Sequence, residues 1–453
     1  MARYVGQRAR TRAARSRHRR LASWCASLPR GRPSVVEEAE ERGRLETTGG
    51  LLECTIRVHL GAESSTDRAL KRGCVLVRRT PGRQHAPVPR DRGTDDLLHG
   101  APADDRYGEA MAFEFVQGVH LHRTDENIDE IDALAERLGG RVGLEGVLHD
   151  LNRQAHRSFF AFGRAVHRAY RWDRSDCRSE RWWPQGITTS ADASDTEDFD
   201  GRRLLVTTWY AKETEGVNKG SRISIVDLET MRYRHVLLVV PTLGDDGEMK
   251  LAPLKVHAGG IVWAGPYLHI AATSKGFMTC RVDDILRVPD ERGVPDRLAL
   301  GAAEDKVASF GYRYVLPVRF SYRAHSDEGL ERLRYSFMSL DRSTRPPELV
   351  VGEYGRGKQT TRLARYPIDA ESMHLVLGDD GYSRPLTLED GGVVQMQGVA
   401  VTGGTYYATA SNGPVFPGNV YVGGPGRFHK HRWATPIGCE DLSYWPRARS
   451  CGR

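Results

Sequence analysis

Polar side chains recur where apolar strands begin: Gln185, His257, Ser336, Gln397 and the neighbours Glu440 and Asp441. Together they supply an imidazole, two carboxyls and two amides, a set that can move protons or hold a polar ligand by hydrogen bonds. His257 and Glu440, with Asp441 beside it, are the candidate acid–base residues. Gln185, His257, Ser336 and Gln397 are the candidate ligand-binding residues. The competing reading is that these groups satisfy buried backbone donors and acceptors. For either role, the chain must return to one place several times.

The repeat that would do so is visible by alignment. Three segments match: "WPQGITTSA" from Trp183, "KVHAGGIVWAGPYLHIAATSKG" from Lys255, and "QMQGVAVTGGTYYATASNG" from Gln395. Each passes from a polar residue through Gly or small residues into a strand, and the last two turn at Gly into a second strand. Gln185 and His257 are 72 positions apart, and His257 and Gln397 are 140 apart, nearly twice that spacing. "LRYSFMSLD" near Ser336 supplies the intermediate start and "CEDLSYW" near Glu440 a fifth. Five starts predict an all-β, five-bladed β-propeller, with six blades as the alternative if "AYRWDRSD" lends a strand to the last blade. Innermost strands would then bring the polar set to one mouth of a central channel.

Three regions are expected along the 453 residues. Residues 1–112 contain three of the 37 aromatics, and residues 1–33 carry ten Arg and no acid. This region is expected to be disordered or poorly packed, because too little apolar surface is present to offset the entropy of ordering. Residues 113–172 read as a helical lead-in. Thr124 is a candidate N-cap, Ile128, Ile131, Ala135 and Leu138 share one face, Gly139-Gly140 stops the helix, and a second apolar stripe runs from Leu144 to Ala155. Residues 173–453 form the propeller, its last blade cut short after "CEDLSYWP".

Several other patterns have simpler readings. Gly352 to Gln359 nearly spells a phosphate loop, yet Gln359 replaces the magnesium-binding Ser/Thr and "TTRLARYP" reads as a strand, so a blade turn is expected. The acids between Asp192 and Asp200 do not fit an EF-hand and read as a solvated turn. The pairs His149/His156 and His429/His431 lack zinc-protease spacing, and seven scattered Cys show no CxxC. No GxSxG elbow is present. No metal site is expected and no motif identifies a cofactor. The net charge of +7 comes largely from the Arg-rich start, which has no aromatic or motif context for reading bases, so nucleic acid is not an expected partner. No run approaches the length needed to span a bilayer.

The segments "WWPQGITTSADASD", "VHAGGIVWAGPYLHIAAT", "YSFMSLDR", "MQGVAVTGGTYYAT" and "HRWATPIGCEDLSYWP" together resemble an uncharacterised family of bacterial secreted-type β-propeller proteins, over roughly residues 114–446. The resemblance implies an extracellular protein. It carries no catalytic assignment. The residues as written contain no signal peptide, which gives a cytoplasmic expectation in the absence of that resemblance. The expected function is binding or hydrolysis of a polar ligand, such as a saccharide or cell-envelope component, in the channel of a monomer, and whether the chain is an enzyme stays open at this point. The alternative is a non-enzymatic scaffold using the rim of the disc.

Overall fold

From Trp182 onward, short runs rich in Val, Ile, Tyr and Trp are separated by Gly and Asp turns, and this pattern makes strands that pair mainly with their sequence neighbours. The structure, a computed structural model, describes residues 51–56, 74–78, 113–159, 161–289, 300–303 and 306–446. The chain divides into two units, Met1–Thr48 and Gly49–Arg453, of which the first lies outside the described residues.

The fold is all-β, with five main sheets following one another along the chain, antiparallel except where Tyr314–Pro317 pairs in parallel with Arg232–Leu243 of the first. Each opens on a leading strand. In the first sheet, Trp182–Thr189 leads into Leu204–Ala211, Ser221–Asp227 and Arg232–Leu243. The second runs Ile261–Ala264, Tyr267–Ala271, Gly276–Arg281 and Phe320–Ser326, with Val119–Arg123 added at its outer edge. The third runs Phe337–Asp341, Glu348–Gly352, Arg362–Pro367 and Thr387–Asp390; the fourth runs Met396–Thr402, Thr405–Asn412, Phe416–Gly423 and His429–Thr435. The fifth is led by Cys439–Trp445 and continues through Leu51–Ile56, Cys74–Arg78, Arg168–Arg171 and His156–Ser158.

Two expectations are corrected by that fifth sheet. The sheet is not cut short, because strands from earlier in the chain complete it, one of them within the "AYRWD" segment. Two short pieces of the region expected to be unpatterned, Leu51–Ile56 and Cys74–Arg78, are strands; the rest of residues 1–112 lies outside the described residues.

Apolar side chains pack between consecutive sheets. Leu204, Val206, Ile223 and Val236 of the first meet Ile261, Trp263 and Ile270 of the second. Val262, Phe277 and Tyr322 then meet Met338, Leu349 and Tyr366 of the third. Phe337, Val350 and Leu363 meet Met396, Val399 and Tyr406 of the fourth, and Ala400 and Tyr407 meet Leu442 of the fifth. Every position of Ser221–Asp227 and Tyr267–Ala271 is buried. Side chains alternate faces along a strand, so both faces of these sheets are covered.

The lead-in is only partly helical. Ile128–Leu138 is a helix whose buried Ile131, Leu134 and Ala135 face the first sheet, and it ends at Gly139 with φ +82°. Its N-cap is Asn127, not Thr124, because the backbone N–H of Thr124 is still donating to Ser321 in the second sheet. The second helix, Gly143–Leu148, stops well before Ala155. Arg153–Gln154 is instead a strand on Arg232–Leu243, so Leu151 and Ala155 are buried by sheet packing and not by helix continuation. Among the described residues, no helix is long and apolar enough to cross a membrane.

Candidate functional site

The leading strands lie side by side and run in the same sense. A Cβ on Gly186 would sit 2.7 Å from the Gly260 carbonyl carbon, and a little further along Trp263 N–H donates to Thr188 Oγ1 at 3.0 Å. A Cβ on Gly260 would sit 2.7 Å from Phe337 Cα. Gly403 N–H, just past the fourth leading strand, donates to Ser343 Oγ, just past the third. A Cβ on Gly398 would sit 2.6 Å from Asp441 Cα. Finally Ile187 N–H donates to Asp441 Oδ2 at 3.2 Å, bringing the fifth leading strand beside the first.

These contacts define one level, made by Gly186, Gly260, Phe337, Gly398 and Asp441. The missing Cβ atoms at three positions leave room for the Asp441 carboxyl, whose Oδ1 would be 2.8 Å from a Cβ on Gly398. Asp441 is closed off from solvent. Burial raises its carboxyl well above the ordinary range, against the amides of Ile187, Leu442 and Ile261 and reinforced by the charge of Glu440. The Asp441 carboxyl therefore plugs the gap between the strands.

The residues one step before that level are Gln185, Gly259, Ser336, Gln397 and Glu440. Four of the expected polar set come together here. His257 does not occupy the equivalent position; Gly259 does. His257 lies two residues earlier, exposed, with its imidazole beside Gly259 (Cδ2 3.6 Å from where a Cβ would be) and tilted against the Tyr210 ring, centroids 4.7 Å apart. The absence of a side chain at Gly259 lets the Ser336 carbonyl oxygen come in beside it, since a Cβ there would stand 2.1 Å from that oxygen.

Three of the five leading strands bulge at this level. Register shifts occur between Pro184 and Ile187, between Met396 and Gly398, and where Cys439 to Leu442 faces Ile56 to Cys54. Each time the extra residue is in the leading strand, at Gln185-Gly186, Gln397, or Glu440-Asp441. A bulge re-aims side chains out of the ladder, and sheets place bulges beside functional sites. Gln185 is buried with its amide donating to Pro184 O at 2.6 Å; Gln397 is half-buried, 3.4 Å from Ser411 Oγ. Glu440 is buried and Ser336 half-buried. Beside the row, Lys212 Nζ covers the Trp183 ring at 3.7 Å.

The opposite ends of the leading strands enclose a second feature, a cavity of about 310 Å³. Asp192 and Glu197, expected in a solvated turn, both line it and are both buried. The Asp192 carboxyl is anchored through Oδ2, which accepts from Thr188 Oγ1 at 2.7 Å, Ser443 Oγ at 2.8 Å and Thr189 N–H at 3.4 Å. Trp445 Nε1–H donates to Glu197 Oε2 at 2.9 Å. Arg342 donates to the carbonyls of Ala191 and Ser194 and pairs with Asp195. Burial pushes the Asp192 carboxyl up to about 6, in spite of its three donors and Arg342.

That shift has a measurable sign. From pH 4 to pH 6 the folded chain keeps a proton on Asp192 that the unfolded chain releases, so this group's contribution to stability falls as pH rises. Asn at 192 can accept the same hydrogen bonds without ionising. The Asp192→Asn protein should therefore gain about 2–3 kcal/mol relative to wild type between pH 4 and pH 7. Urea titrations of both proteins across that range measure it, and parallel stability curves would contradict it. The comparison with the variant is essential, because buried His235, pushed down to about 4 mainly by burial and then by Arg222, has the opposite slope over nearly the same range.

His235 belongs to a triad that sequence inspection did not find. Its Nδ1 is 2.8 Å from Ser224 Oγ and its Nε2 is 2.9 Å from Asp176 Oδ2. The order is that of a serine hydrolase, but Trp209 Nε1–H donates to Ser224 Oγ at 2.6 Å and all three members are buried. No substrate reaches Ser224. The chain of hydrogen bonds is structural, with neutral His235 donating to Asp176. Burial alone would raise the Asp176 carboxyl, but His235, Arg222 and Arg153 outweigh it and hold the group far below the ordinary range.

The structure also places Gly352–Gln359 and His149. Gly352 to Gln359 is a turn between two strands, with Glu353 buried against Arg362 at 2.8 Å. His149 lies on the exterior 3.5 Å from Glu145. Among the described residues, no group of three or more His, Cys, Asp or Glu is placed to hold a metal ion. No protein-family model matches the chain, and no curated protein is similar to it in sequence.

Proposed function

We propose that the five sheets are the blades of a five-bladed β-propeller, of the secreted bacterial type its motifs resemble, that binds a polar ligand at the end of the leading strands where Gln185, His257, Ser336, Gln397 and Glu440 gather. The repeated bulge carries this reading: leading strands far apart in the chain interrupt their ladders at one level, and each interruption falls on a polar side chain or its neighbour. A saccharide suits the surroundings, since amides and a carboxylate offer partners for hydroxyls while the half-buried Tyr210 offers a ring beside them. His257 and Glu440 form the acid–base pair if the ligand is hydrolysed. Asp441, sealed beneath them, supports the end wall and does not touch the ligand.

A thermal-shift screen of the full chain against oligosaccharides tests the reading. One or more glycans should raise the melting temperature, and His257→Ala should abolish that rise. A shift unchanged in His257→Ala would move the site elsewhere. No shift with any glycan would favour the scaffold reading, for which exposed Phe416 and Trp433 on the outer strands of the fourth sheet are the natural contacts.

A further inference from the structure

We propose that a surface away from the leading strands, where the loop after His156–Ser158 meets the outer strand of the fourth sheet, His429–Thr435, docks on an anionic phospholipid membrane. The two segments are joined through their backbones. Arg164 N–H donates to the Trp433 carbonyl at 2.8 Å and Ala165 N–H to that of Ala434 at 3.0 Å, and a Cβ on Gly163 would stand 2.7 Å from the Ala434 oxygen. Segments far apart in the chain therefore share one edge.

Both segments are basic and free of acids. The sequence has no Asp or Glu from Leu151 to Trp172, nor from Gly391 to Cys439. Arg157, Arg164, Arg427, Lys430 and Arg432 are exposed, and among the described residues none of them forms an ion pair. The edge therefore calls for an anion from outside the chain. Its rings say which kind. Phe159 and Phe162 are 73% and 71% exposed, the most exposed of the large apolar side chains among the described residues, and Trp433 beside them is 48% exposed. Single exposed apolar residues are ordinary, but three rings at one edge mark a contact surface. Trp433 also takes φ +57°, a costly backbone for a bulky residue that no burial of its ring repays. Phe162 lies in an irregular loop and Trp433 on the last strand of its sheet, so the rings project from an edge and do not line a groove. A nucleic-acid strand is held in a groove that tracks its backbone, whereas a membrane is a broad surface that admits projecting rings. Phenylalanine, with no polar tip to satisfy, can enter the acyl boundary while Arg and Lys stay at the phosphates. The guanidinium of Arg157, 5.1 Å over the Phe159 ring, already holds a cation and an apolar ring together.

Flotation of the full chain with lipid vesicles tests this. Vesicles of phosphatidylglycerol and phosphatidylcholine in equal parts should bind it at least tenfold more tightly than vesicles of phosphatidylcholine alone. Residues 1–33, with ten Arg, will be drawn to anionic lipid too, so the variants decide. Phe159→Ser with Phe162→Ser, and separately Lys430→Glu with Arg432→Glu, should each weaken binding to the anionic vesicles at least fivefold without lowering the melting temperature, because all four side chains are exposed. Equal binding to the two kinds of vesicle, no binding to the anionic ones, or wild-type binding by either variant would overturn the proposal. So would single-stranded DNA held more tightly than the anionic vesicles, which would make the edge a nucleic-acid surface.

Discussion

Replacing Asp176 with alanine should cost about 3–5 kcal/mol of stability, the loss expected when one partner of a buried ion pair is removed. Asp176 sits under the first sheet, receiving hydrogen bonds from Arg222 at 3.0 Å, Tyr233 at 2.6 Å and His235 at 2.9 Å, with Arg153 at 3.2 Å from the solvent side. Arg222 is nearly as buried as its partner and lies over the rings of Trp182 and Trp209. Without the carboxylate, that guanidinium stays in an apolar, aromatic setting with no counter-charge, and the phenol and imidazole lose their acceptor. Asp176→Asn keeps the shape and one acceptor oxygen, so it should lose less. Urea denaturation of the three proteins measures the series; a loss below about 1 kcal/mol in Asp176→Ala would mean that the network contributes little.

Gly260→Val should cost about 3 kcal/mol, for a different reason. Gly260 does not have a positive φ, so valine meets no backbone penalty there. The cost comes from the neighbour: a Cβ would stand 2.7 Å from Phe337 Cα and 2.8 Å from Phe337 C, backbone atoms that cannot rotate away. Two added methyls must force the second and third leading strands apart, which is overpacking with no flexible side chain to absorb it. Gly247, with nothing within 4 Å of its Cβ position, is the control for a simple change of side chain, although its φ of +76° calls for Asn as the replacement. Equal denaturation midpoints for wild type and Gly260→Val would show that the leading strands do not meet at this level.

Much of the architecture was readable because it is local. Each of the five recurring starts becomes a leading strand, and "YLHIAAT" and "YYATAS" become the second strands of their hairpins, since Gly turns and β-branched runs are short-range signals. Register was not readable. Matching side-chain type aligned His257 with Gln185, whereas the backbone aligns Gly259 with it, because the bulges that set the level depend on strand pairing. The Asp192 cavity was hidden for a similar reason. Asp192 to Asp200 reads as solvated in isolation, and only Ser443, Trp445 and Arg342, 145 or more positions away, bury Asp192 and Glu197. The same holds for the fifth sheet, whose inner members come from opposite parts of the chain, and for the Ser224, His235 and Asp176 cluster, whose spacing matches no hydrolase motif.

The arrangement of the leading strands underlies the polar row and the Asp192 cavity alike, and a crystallographic electron-density map of the full chain tests it most directly. The map should place Asp441 Oδ2 within hydrogen-bond distance of Ile187 N–H and Ser443 Oγ against Asp192, with the fifth leading strand parallel to the first. A map that separates Cys439–Trp445 from Trp182–Thr189 would contradict the account.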